Sequence, residues 1–185
     1  MNKYKERPQC VLHVMHMSET KKFNALGIIG IIGAILMIAG VFVSWLDVSM
    51  SGLGQTFTES YSGIDIYSGN IISNLDIGFD DITSYYYAPI VALACGIISI
   101  IATIVSTVYC KGNVGKVMGA IALILAIVAL ILGFLYYGDV EKYQFSESFL
   151  GISASLTIGY GLWIVIAGAI ITVIGGIIDI AKKTD

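Results

Sequence analysis

Four runs of this chain, Ala25 to Leu46, Ala88 to Tyr109, Val117 to Tyr137 and Ile158 to Ile178, contain no Asp, Glu, Lys, Arg or His. About twenty apolar residues in a helix match the roughly 30 Å hydrocarbon core of a bilayer. In that core a helix is one of the few structures that satisfies its own backbone hydrogen bonds. The runs therefore predict an all-α membrane fold, a four-helix transmembrane bundle. Only 12% of the residues are charged, against about 25% in soluble domains, so a soluble class is excluded. The predicted organisation is a tail over residues 1–24 and one four-span domain over 25–185. Its large loops cover residues 47–87 and 138–157.

The charges orient the spans. With both termini cytoplasmic, nine basic residues fall inside: Lys3, Lys5, Arg7, Lys21, Lys22, Lys111, Lys116, Lys182 and Lys183. They face four acids, Glu6, Glu19, Asp179 and Asp185. The outer side holds Asp47, Glu59, Asp65, Asp76, Asp80, Asp81, Asp139, Glu141 and Glu147 against a single Lys142. Lys and Arg near span ends stay in the cytoplasm, so the expected protein is a multi-pass protein of the plasma membrane with both termini inside. Trp45, Tyr85, Tyr86, Tyr87, Tyr136, Tyr137, Tyr160 and Trp163 are the expected aromatic belt at the outer interface. The first run exceeds the 7–15 residues or so of a signal h-region and reads as a span. Translation from Met1 and from near Met17 both remain open, because the tail before Met17 has no periodicity.

Each run carries a stripe of small residues. They are Gly30, Gly33, Met37, Gly40 and Ser44 in the first, and Ala92, Cys95, Ser99, Ala102 and Ser106 in the second. The third has Gly115, Gly119, Ala122, Ala126, Ala129 and Gly133, and the fourth Gly161, Val165, Gly168, Thr172 and Gly175. In lipid, helices associate by close packing, which small residues permit, and spacing near 3.5 favours a left-handed bundle. These stripes are read as packing seams, while Gly27 and Gly176 lie off them and are candidates for outward contacts.

The loops have strand character. Ile152, Ala154, Leu156 and Ile158 alternate with Ser153, Ser155 and Thr157, and a hairpin about Leu150 and Gly151 is expected. Phe57 and Tyr61 alternate with Thr56, Thr58 and Ser60 after a turn cluster, Ser51-Gly52-Leu53-Gly54. Together they predict a small extracellular antiparallel β-subdomain. Residues 70–81 are left open between a short helix and a further strand.

Four spans, a large first outer loop of β character, and a Trp closing the first span in Ser44-Trp45-Leu46-Asp47-Val48-Ser49 resemble the claudin and peripheral-myelin-protein superfamily. The Gly-Leu-Trp and paired-cysteine signature of that loop is absent; Ser62-Gly63-Ile64-Asp65 stands nearest to it. The chain is also similar to small four-span prokaryotic membrane proteins of unassigned role, whose glycine-rich first helix ends in a Trp ahead of a Ser-Gly-containing loop. The second resemblance is the nearer one, and it implies no activity.

No constellation identifies a reaction. Gly112-Asn113-Val114-Gly115-Lys116 lacks the spacing of a phosphate-binding loop. Cys10, His13 and His16 form no closed metal site, and no glycosylation sequon occurs. Asp76, Asp80 and Asp81 are weak cation candidates without the calcium-loop pattern. An enzyme needs a nucleophile with a base, or paired acids at depth; a coupled transporter needs ionisable groups within the spans. The spans offer neither. The expectation is a non-enzymatic structural, interaction or accessory-subunit role without a cofactor. Its partners would be the lipid bilayer and another membrane or envelope protein or a second copy, with no nucleic acid. The alternative is a channel or transporter component formed by oligomerisation.

Overall fold

A computed structural model describes residues 25–52, 55–69, 84–108, 113–142, 145–149 and 152–182. The tail with Cys10, His13 and His16, the turn residues Leu53 and Gly54, the candidates Asp76, Asp80 and Asp81, Cys110, and Leu150 with Gly151 lie outside the described residues. In chain order the elements are α1 (Ala25–Phe42), β1 (Ser44–Gly52), β2 (Gln55–Ser62), α2 (Gly63–Ser68), α3 (Ala88–Val108), α4 (Asn113–Glu141), β3 (Phe145–Phe149), β4 (Ile152–Ile158) and α5 (Tyr160–Lys182). Helices α3, α4 and α5 are long and apolar enough to cross a membrane. The shorter α1 is equally apolar and lies alongside them, packed most extensively on α5.

The bundle places small residues inward and large ones outward. Ala34 and Met37 of α1, Cys95 and Ser99 of α3, Ala126 and Ala129 of α4, and Ala169 and Thr172 of α5 are all buried. Met37, Cys95, Ala129 and Ala169 form one layer with a residue from each of α1, α3, α4 and α5. The exposed positions are Ile32, Ile35, Ile101, Ile124, Ile131, Ile174 and their neighbours. Gly30, Gly33, Gly40, Ala102, Gly119, Ala122, Gly133, Gly168 and Gly175 also lie on the buried faces. Gly27 and Gly176 are inside as well, lining a cavity of about 10 Å3 with Thr103 and Thr172. This corrects their reading as outward contacts: both lie where four helices converge, which two-helix seam counting does not locate.

The closest helix pair, α1 with α5, is antiparallel and touches backbone to backbone. A Cβ built on Gly33 would stand 2.6 Å from the Gly168 carbonyl oxygen, and one on Gly40 2.9 Å from that of Gly161. At the sheet end the pair continues as strands, α1 running into β1 and β4 into α5. Gly159 N donates to the Trp45 carbonyl at 3.0 Å, and Leu46 pairs with Ile158. The four-stranded antiparallel sheet has the order β2-β1-β4-β3. Its central strands are thus extensions of the two most tightly packed helices.

Several boundaries differ from the hydropathy reading: α4 begins at Asn113, and α5 runs from Tyr160 to Lys182 because Ile158 belongs to β4. Helix α1 stops at Phe42, not Leu46, because Ser44 to Leu46 enter the sheet, where β1 pairs on both sides. Helix α4 continues past Tyr137 to Glu141, carrying Asp139 and Val140 on its last turn. Residues 63–68 form a short helix that hydropathy does not show. Asp65 N donates to Ser62 Oγ at 3.3 Å and Ser62 N to Asp65 Oδ2 at 3.0 Å. This is a reciprocal capping box, and such a cap contributes about 1 kcal/mol. Its signal, Ser-x-x-Asp at Ser62, was present in the sequence.

Candidate interaction surface

The register sorts the sheet into two chemically opposite faces. On one, Tyr61, Leu46 and Ile158 share a row, followed by Glu59, Val48, Leu156 and Phe145, and then Phe57, Met50, Ala154 and Glu147. The half nearest the bundle is buried at Leu46, Tyr61 and Leu156. Beyond it Met50 is 41% exposed and Phe57 67% exposed, so the covering ends partway along the sheet.

The other face carries hydroxyls. Its rows are Ser60, Asp47 and Thr157; Thr58, Ser49, Ser155 and Ser146; and Thr56, Ser51, Ser153 and Ser148. Every position except Asp47 is Ser or Thr. Alternation with period two places each strand's hydroxyl residues on one side, and antiparallel pairing brings four strands' worth together. Ser51 Oγ and Ser153 Oγ are 2.6 Å apart, and Ser49 Oγ and Thr58 Oγ1 3.3 Å. Thr157 Oγ1 donates to the Asp47 carbonyl at 3.5 Å, and Ser44 Oγ donates to the Asp47 carboxylate.

The sheet is anchored by aromatic residues. Trp45 is fully buried, and its Nε1 donates to the Gly40 carbonyl at 2.9 Å. That carbonyl, in the last turn of α1, also accepts from Val43 N at 3.3 Å, so the indole adds a second bond at the helix end. The Trp45 ring meets Tyr136 edge to face, with centroids 5.1 Å apart. Both were expected in the interfacial belt and are instead core, because β1 turns Trp45 back under the sheet. Tyr86, Tyr87, Tyr160 and Trp163 are exposed, while Tyr85 and Tyr137 are half-buried. The acids of this end serve local structure. Asp65 caps α2, Asp139 bridges Lys142 at 2.8 Å, and Glu59 accepts from the Tyr61 hydroxyl. Among the described residues no three His, Cys, Asp or Glu side chains gather into a metal-holding group.

Burial first, and then the Glu59 hydrogen bond and charge, push the Tyr61 phenol up from 10.0 to about 12. A phenol whose pKa is raised by folding stabilises the fold fully below its unfolded pKa. That contribution is lost as pH rises from about 10 through about 12. In ultraviolet absorbance titrations, the difference between the parent chain and Tyr61→Phe should therefore show a phenol ionising near 12; a midpoint near 10 would contradict the geometry.

Apolar helices of membrane-crossing length carrying a small antiparallel sheet define the class, a helical membrane protein. No family model matches the chain, and no curated protein matches it in sequence.

Proposed function

We propose that this protein is a multi-pass membrane anchor with a non-enzymatic interaction role, displaying its sheet on the outer side of the plasma membrane. All four long helices cross, α1 among them, and both termini are cytoplasmic. The observation that carries this reading is the sheet itself, which presents a hydroxyl face on the end of a bundle whose buried layers, among the described residues, hold no Asp, Glu, Lys, Arg or His. Charge supports the orientation. The sheet end bears Asp47, Glu59, Asp65, Asp139 and Glu141, with Lys142 bridged to Asp139. Lys116 and Lys182 belong to the opposite end, the arrangement expected when basic residues stay inside.

The interior supports an anchor better than a conduit. Among the described residues, the cavity where Gly27, Gly30, Gly175 and Gly176 meet has room for about one water, which favours an anchor over a conduit. Topology is tested by cysteine labelling in intact cells, with Cys10 and Cys110 replaced by Ser. A membrane-impermeant maleimide should modify Thr58→Cys directly and Lys116→Cys only after lysis. The reverse pattern would overturn the orientation and the outward display together.

A further inference from the structure

We propose that the hydroxyl face of the sheet binds a neutral polyhydroxyl polymer, a glycan of the surrounding envelope. This rests on the outward display of the sheet proposed above. A hydroxyl both donates and accepts, so the natural complement of a hydroxyl grid is another surface of hydroxyls. The grid is held in place before any ligand arrives, because Ser51 bonds to Ser153 and Ser49 to Thr58 across the strands. Preordered groups lose little freedom on binding.

Charge narrows the partner. The one carboxylate on this face, Asp47, is engaged by Ser44, and no Lys or Arg shares the face. The rest of the sheet end is acidic, so phosphate, sulfate or uronate polymers would be repelled and would find no cation. A polycation would be drawn to the carboxylates elsewhere and not to this face. Area narrows it further. Four strands about 4.8 Å apart and rows spanning about five residues give a patch on the order of 300 Å2. A stable protein interface needs about 800 Å2 per partner, so a second copy is poorly served, whereas a few sugar rings fit. A repeating polymer also engages many anchors in one membrane, and avidity then offsets weak single contacts.

The test uses the full chain in lipid nanodiscs. Immobilised dextran, mannan and cellulose serve as neutral probes and heparin as the charged control. At least one neutral glycan should be retained, and heparin should not. Replacing Ser49, Ser51 and Ser155 together by Ala should weaken retention about tenfold or more, since three hydroxyls of the grid lose their hydrogen bonds at once. The edge pair Thr56→Val with Thr58→Val keeps strand propensity, so a folded variant is in hand if the Ala triple fails to fold; it should weaken binding in the same direction. Ser49→Thr with Ser155→Thr keeps the hydroxyls and should bind as the parent does. Retention of no neutral glycan, equal retention by the Val pair, or preference for heparin would each sink the proposal. So would a dimer, seen by light scattering, that the Val pair abolishes. Labelling of Thr58→Cys from outside without glycan binding defeats this inference alone; labelling only after lysis defeats the display reading as well.

Discussion

Gly168→Ala should destabilise the bundle by about 3 kcal/mol, the upper part of the range for forcing atoms into a filled core. A single methyl group has this effect because its neighbours are backbone. A Cβ at Gly168 would lie 2.6 Å from the Gly33 carbonyl oxygen and 2.7 Å from Met37 N. No rotamer relieves that contact; α1 and α5 must separate. Separation would spread from the helices into the sheet, since β1 and β4 continue the same two elements. Gly30→Ala is the control on the facing helix. Its new methyl would meet Thr103 at 3.6 Å, an ordinary contact, and Ala favours helix over Gly by about 1 kcal/mol. Unfolding in mixed detergent with increasing dodecyl sulfate should therefore shift strongly for Gly168→Ala and little for Gly30→Ala. Equal midpoints for the two would refute the backbone contact between α1 and α5.

Trp45→Ala should cost about 3–5 kcal/mol, the range for truncating a large buried aromatic. The main loss is a cavity under the sheet beside Tyr136, Val41 and Leu46; the Nε1 hydrogen bond goes too, although the Gly40 carbonyl keeps Val43 N at 3.3 Å. Trp45→Phe removes the donor and only part of the volume, so it should fall between. Tyr136→Phe gives the opposite expectation. The Tyr136 hydroxyl is buried and has no hydrogen-bond partner among the described residues, and an orphaned buried hydroxyl costs about 1–3 kcal/mol. Removing it while keeping the ring should leave stability unchanged or raise it. Thermal unfolding in one detergent ranks all three, and a Tyr136→Phe variant as damaged as Trp45→Ala would overturn this account of the anchor.

The local content of the fold was legible in the residues. Charge-free runs gave the helices, period-two alternation gave the strands, and spacings of three and four marked Met37, Cys95, Ala129 and Gly168 as seam positions. Each of these signals lies within one element, and the physics behind each is short in range. The capping box at Ser62 was equally local and was passed over because residues 63–68 are too few to carry a periodicity.

At Trp45 and Leu46 hydropathy failed because lipid and protein interior are equally apolar, so an apolar residue does not report which of the two surrounds it. Trp45 and Leu46 therefore read as the end of a span, although pairing to β2 and β4 had drawn them into the core beneath the sheet. The hydroxyl face shows the same division. Sequence by itself determined that Ser and Thr occupy alternate positions in four separate segments. Only the tertiary structure decided that they form one surface, because Ser51 meets Ser153 through a pairing that spans 102 residues. The glycine contacts between α1 and α5 hold the roots of β1 and β4 side by side.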